Sequence, residues 1–156
     1  MKNQLNKIAK DTNVFLKRYI QEQGNSKLIY AMKYGLFPGG KKIRSKILID
    51  IGSLFSINYH TLIAIGAAVE CIHAYSLIHD DLPCMDNDNM RRGKLSTHIK
   101  FGESTAVLAG NSLLTMAFEI LTSSKLKLRD KIKVKLIDKL SMLSLIHISE
   151  PTRRIT

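Results

Sequence analysis

Leu5, Ile8, Ala9, Thr12, Phe15, Leu16, Tyr19 and Ile20 recur at three- and four-residue intervals, the stripe of an amphipathic helix, and Gly24-Asn25 stops it. Ser26 can cap a second, shorter helix running through Tyr34. The stretch Gly35 to Gly40, with its glycines and Pro38, breaks any regular element. A third helix is expected from about Lys41, with Ile43, Ile47, Leu48, Ile51, Leu54 and Phe55 facing inward. From Thr61 to Asp80 the chain is apolar nearly all round, which marks a helix buried within a bundle. Pro83 ends it, and the polar run to Gly102 reads as a loop. Ser104 can cap a further helix through Leu121, and Lys127 to Leu140 forms a last one, basic outside and aliphatic inside. Alternation is confined to Leu126 to Val134, where the lysines also fit a helix face, so nothing reads as a strand and the class is all-α.

The chain has 156 residues, 45% of them hydrophobic, enough for one core and one domain. Its most apolar run, Leu62 to Val69, is interrupted at Glu70, short of the roughly 20 residues a membrane span requires. The first residues mix charges with apolar positions at helical spacing, so no export signal is expected. Cys71 and Cys84 are too few for a disulfide framework and suit a reducing compartment, the cytoplasm. A formal net charge of +11 points to an anionic partner, although a chain rich in Lys, Ile and Asn also fits an AT-rich coding bias. Nucleic acid is disfavoured, because no recognised motif accompanies the charge and aromatic residues for stacking are few.

The basic chain nevertheless gathers carboxylates in SLIHDDLPCMDNDNMRRG, Ser76 to Gly93. Asp80, Asp81 and Asp86 have the spacing DDxxxxD, with Asp88 close behind. The first two leave the C-terminal end of the apolar helix, where the helix dipole is itself negative and a cation is wanted. Magnesium fits, since it takes one or two carboxylates and completes its octahedron with waters and phosphate oxygens. A calcium loop counted from Asp86 fails, with Met90 at a ligand position, Arg91 where glycine is needed and Thr97 where glutamate is needed. Cys71, His73, His79 and Cys84 have no recognised zinc spacing. Arg91 and Arg92 suit phosphate oxygens, which guanidinium holds by paired hydrogen bonds. A second basic site follows a glycine turn in GGKKIRS, Gly39 to Ser45, with Lys41, Lys42 and Arg44 at a helix start. Gly35 through Lys41 has the P-loop spacing, but Lys42 replaces the required Ser or Thr and a helix precedes it, so no nucleotide loop is assigned. Two phosphate receptors beside a magnesium site imply diphosphate chemistry.

The stretch AVECIHAYSLIHDDLPCMDNDNMRRG, preceded by PGGKKIRS and followed by FGE at Phe101 to Glu103, resembles the bacterial trans-prenyl diphosphate synthases, most closely those producing farnesyl diphosphate. The resemblance implies a helical bundle of the isoprenoid synthase type, here truncated, that works as a homodimer. It implies Mg2+ on Asp80 and Asp86 with Asp81 supporting, Arg91 on the allylic diphosphate, and Lys41, Arg44, His73 and Arg92 on isopentenyl diphosphate. His73 lies two helical turns before Asp80 on the same face, which agrees with that role; by itself it would read as a core histidine. Tyr75, with Ser76 beside it, is expected to limit product length, since Tyr75 stands about 7.5 Å deeper along the helix than Asp80 at about 1.5 Å per residue. Farnesyl diphosphate is the expected product, with geranylgeranyl diphosphate or a non-catalytic synthase-like subunit as the alternatives.

The sequence departs from the resembling pattern at Lys42, where Arg is frequent, at Ser45, where Pro is frequent, at Leu95-Ser96 and at Asn111. A second aspartate-rich motif is absent, so residues 1–142 read as the N-terminal half of a synthase domain that is inactive alone. LSLIHISEPTRR, Leu143 to Arg154, breaks the helical pattern and looks like translated sequencing-adapter sequence; residues 143–156 are read as a doubtful tail.

Overall fold

The computed structural model describes residues 2–37 and 40–149. Seven helices follow in order: α1 (Lys2–Gln21), α2 (Lys27–Leu36), α3 (Ile43–Leu54), α4 (Tyr59–Asp80), α5 (Thr97–Phe101), α6 (Glu103–Thr122) and α7 (Asp130–Ser149). The described residues are mostly helical and pack as a helical bundle, so the class is all-α as the pattern led one to expect. Helix α4 is its axis, packed most extensively on α6, then on α3 and α1. Its apolar girdle explains this position: Leu62, Ile63, Ala67, Ala68, Cys71 and Ile78 are buried on several sides at once. Asn58 caps the start of α4, its side chain accepting from the His60 and Thr61 N–H groups. Ser26 caps α2 as expected, accepting from Ile29 N–H at 3.2 Å.

Four expectations are corrected. First, α3 turns its large residues outward: Ile43, Ile47, Ile51, Leu54 and Phe55 are all exposed, and only Leu48 of the expected set packs partly inward. The buried face is made of Ser45, Ile49 and Gly52. Small side chains let α3 approach α4 closely, to the point that a Cβ on Gly52 would stand 2.3 Å from a Leu62 methyl. Second, the run read as a loop contains α5 and a two-stranded hairpin, β1 (Met90–Arg91) paired antiparallel with β2 (Lys94–Leu95). Strands of two residues are too short to leave an alternation; the turn between them, Arg92 at φ +51° and Gly93 at φ +76°, has the two left-handed residues a tight hairpin needs. Third, α6 starts at Glu103 behind Gly102, whose φ of +91° suits glycine, so Ser104 lies inside the helix and caps nothing. Fourth, α7 begins later than Lys127 and runs on through Ser149, past the expected break at Leu143. Leu140 and Ser144, one turn apart, share its buried face, and the Ser144 hydroxyl donates to the Leu140 carbonyl.

Helices α4 and α6 are also long and apolar enough to cross a bilayer by length and composition, which counting only the uninterrupted run to Val69 had missed. The apolar window of α4 is 67% buried inside the fold, so that apolarity serves the core.

Candidate diphosphate site

The acidic segment is built on the end of α4. Four carbonyls at a helix C-terminus lack intrahelical partners, and the following turn supplies donors: Asp86 N–H to the Asp80 carbonyl at 2.9 Å, Asp88 N–H to the Asp81 carbonyl at 3.2 Å, Met85 and Asn87 N–H to the Leu82 carbonyl. Asn87 makes the reversal at φ +53°, a conformation asparagine tolerates. The loop thus folds Asp86 back over Asp80, with the Asp86 side chain exposed and Asp80 half-buried.

Asp81 goes a different way. Its side chain is 3% exposed and forms a forked pair with Arg91, whose Nε donates to Oδ2 at 2.7 Å and to Oδ1 at 3.0 Å, and whose Nη2 donates to Oδ1 at 2.6 Å. Hydrogen bonding to Asp81 raises the Arg91 pKa against the opposing effect of burial, with further help from the Asp81, Asp88 and Asp80 charges. Asp81 therefore anchors the hairpin to α4, and the structure does not set it beside Asp80 and Asp86 as a third oxygen donor. A small cavity of about 60 Å³ lies beneath this pair, among Tyr34, Gly35, Asp81, Arg91, Arg92 and Thr97.

Arg92, the next residue, faces the opposite partner. Its guanidinium lies against the Gly40 backbone, where an added Cβ would stand 3.2 Å from Cζ, a tight contact. On the same side Arg44 Nη1 meets His73 Nε2 at 3.3 Å. Burial, then the Arg44 charge, lowers the His73 pKa from 6.5 to about 4; Arg92 and Lys42 add to this and Glu70 opposes it. The imidazole is neutral at neutral pH, and Nε2 accepts from the guanidinium. Arg44, His73 and Arg92, three of the four residues expected on isopentenyl diphosphate, are thus gathered in one place. Lys41 is exposed on the adjoining loop, and Pro38 and Gly39 lie outside the described residues.

Sequence reasoning missed the network behind this cluster. Lys42 is buried at φ +49°, with Nζ 3.4 Å from Glu70 Oε2. Ser45 donates its N–H and its hydroxyl to Glu70 Oε1, at 3.3 and 3.2 Å, and its Oγ also lies 3.0 Å from the Gly66 carbonyl. The signal was present as a charge inside an apolar helix, since a buried carboxylate requires a partner. The two departures from the resembling pattern, Lys42 and Ser45, both converge on it.

Tyr75 is buried, its ring edge-on to His79 at 4.8 Å, and burial with the Asp80 charge raises its pKa. His79 Nε2 lies 3.1 Å from the Val107 carbonyl and so carries the proton there; Gly110 leaves room for the ring, since a Cβ would stand 2.2 Å from Nε2. Ser76 is buried and donates to the His73 carbonyl at 2.8 Å. A larger open groove, about 1350 Å³ among Phe15, Arg18, Tyr19, Tyr59, Ile120 and Lys125, lies at the other end of α4 and includes none of the candidate residues.

The polyprenyl synthetase family profile matches residues 25–148. The chain belongs to that family. It is 57% identical over 97 residues to the farnesyl diphosphate synthase of Buchnera aphidicola from Acyrthosiphon pisum, covering 62% of this chain and 34% of that enzyme. Against the Escherichia coli farnesyl diphosphate synthase it is 48% identical over 121 residues, covering 76% of this chain and 40% of the enzyme. Among solved structures, an FPP/GFPP synthase from Zymomonas mobilis superposes with a TM-score of 0.85 at 34% identity over 99% of this chain and 59% of that one. A geranylgeranyl pyrophosphate synthetase from Geoglobus acetivorans does so at 0.83, with 31% identity, over 97% and 51%. The chain therefore spans well under half the length of these two curated relatives. The family match runs past residue 142 into the segment expected to be a tail.

Proposed function

We propose that the complete protein to which this segment belongs condenses isopentenyl diphosphate with an allylic diphosphate, dimethylallyl or geranyl, to give farnesyl diphosphate. The observation that carries this reading is the division between Arg91 and Arg92. Adjacent in sequence, they point one guanidinium to the end of α4 that presents Asp80 and Asp86 and the other to the Arg44–His73 cluster, so two anion receptors adjoin at one turn.

Asp80 and Asp86 would hold the magnesium. Among the described residues no three His, Cys, Asp or Glu side chains converge as a cation cage. That donor set fits an ion that takes one or two carboxylates and fills its octahedron with water and substrate oxygens. When bound, the metal neutralises charge on the departing diphosphate. Arg91, with Nε and Nη2 engaged by Asp81, offers Nη1 to the allylic diphosphate. Arg44, Arg92 and Lys41 hold isopentenyl diphosphate, and neutral His73 orients Arg44. The allylic C–O bond breaks with its electrons going to diphosphate, the double bond of isopentenyl diphosphate supplies the new C–C bond, and the resulting cation gives a proton to the released diphosphate, which restores unsaturation.

Tyr75, with Ser76 beside it, would bound the growing chain. Tyr75→Ala in the complete protein is expected to lengthen the product towards geranylgeranyl size; unchanged farnesyl output by chromatography would remove Tyr75 from this role. We further place the protein in the cytoplasm, on the strength of two free cysteines, and read it as a homodimer. Residues 143–156 remain proposed as foreign to the domain. Incubating the complete protein with labelled isopentenyl diphosphate, geranyl diphosphate and magnesium should give a farnesyl-length product, and no incorporation would contradict the reading. The 156-residue chain alone is expected to be inactive, and measurable transfer by it would refute that part.

A further inference from the structure

We propose that Glu70 is a positioning residue for the isopentenyl diphosphate receptor, acting through Lys42 and Ser45; this rests on the reading of Arg44, His73 and Arg92 as that receptor. Three features point to it. Glu70 is 4% exposed, in mid-α4, yet both its oxygens are used: Oε1 by the N–H and hydroxyl of Ser45, Oε2 by Lys42 Nζ. Lys42 occupies the N-cap position of α3, where the helix dipole disfavours a cation, and in a left-handed conformation that lysine rarely adopts. A residue placed against both preferences is held by its surroundings, and the carboxylate is what holds it.

The consequence falls on its neighbours. With Lys42 and Ser45 both drawn inward to α4, Arg44 between them is left at the surface, against His73 one turn along from Glu70. Gly40, two residues before Lys42, is left against the Arg92 guanidinium. The receptor draws its cations from the α3 junction and the β1–β2 turn, and Glu70 is the group that ties the first of these to the α4 histidine. It touches no reacting atom in this scheme.

The test is calorimetric binding to the complete protein of isopentenyl diphosphate without metal and of dimethylallyl diphosphate with magnesium. Glu70→Gln is expected to weaken the first about tenfold and the second less than twofold. Removing the carboxylate leaves Lys42 a buried cation and can cost the fold, so the paired Lys42→Met/Glu70→Met variant is measured beside it. Apolar replacement of a buried pair commonly preserves stability, and the double variant should melt like the parent yet show the same selective loss. Folded variants with parental isopentenyl diphosphate affinity, or equal losses for both ligands, overturn the role of Glu70. If the parent fails to bind isopentenyl diphosphate, or Arg44→Ala leaves its affinity unmoved, the receptor reading falls first and takes this role with it.

Discussion

The two ends of the candidate site are built on opposite principles. At the C-terminal end of α4, Asp80 and Asp86 are brought together by backbone hydrogen bonds, and their carboxylates stay within reach of solvent against an unfavourable helix dipole. At the α3 junction the charges of Lys42 and Glu70 are buried and matched, and the surface cations stand on that matched base. The first end leaves its carboxylates accessible to solvent, whereas the second satisfies its buried charges within the protein and presents Arg44 at the surface.

The largest expected effect that sharpens this contrast is at the acidic end. Arg91→Ala strands the buried Asp81 carboxylate, and breaking a buried pair from one side costs about 3 kcal/mol, read as a fall in urea midpoint; a loss under about 1 kcal/mol would mean the fork is ornamental to stability. Ser45→Ala removes a buried hydroxyl whose one hydrogen lies between Glu70 Oε1 and the Gly66 carbonyl, and should cost about 1 to 2 kcal/mol. Gly93→Ala, in open space but at φ +76°, should cost about 1 kcal/mol and would show how far the hairpin turn fixes Arg91 and Arg92. The smallest effect is a pH dependence at the basic end. His73 has its folded pKa lowered from 6.5 to about 4, so its contribution to stability is present above pH 6.5 and is lost as pH falls towards 4. Nuclear magnetic resonance titration of His73 should find it neutral at pH 6, and His73→Gln should flatten that part of the stability profile.

Much of the bundle was legible because a helical period survives in α1 and a long stretch apolar nearly all round marks α4, neither of which needs tertiary knowledge. The α3 face was not, because the pattern weighs hydrophobicity and not size: Ser45 and Gly52 are buried beside Ile49, and Ile43, Ile47 and Ile51 face out. The hairpin escaped because two-residue strands carry no period. Within the site, the spacing DDxxxxD and the Arg91-Arg92 pair were readable, but Asp81 siding with Arg91, and Arg92 with Gly40, depend on a chain reversal that only the fold supplies. Glu70 was visible as a lone charge among apolar residues, and its partner lay twenty-eight positions away, beyond any local pattern.

Everything functional rests on Asp80 and Asp86 accepting a divalent ion together with a diphosphate. Isothermal titration of the chain with a non-hydrolysable bisphosphonate, with magnesium and with chelator, on the parent and on Asp86→Asn, tests this most directly. The account predicts binding that needs magnesium and weakens at least tenfold in Asp86→Asn. Equal affinity under chelation, or an unaltered Asp86→Asn, would contradict it.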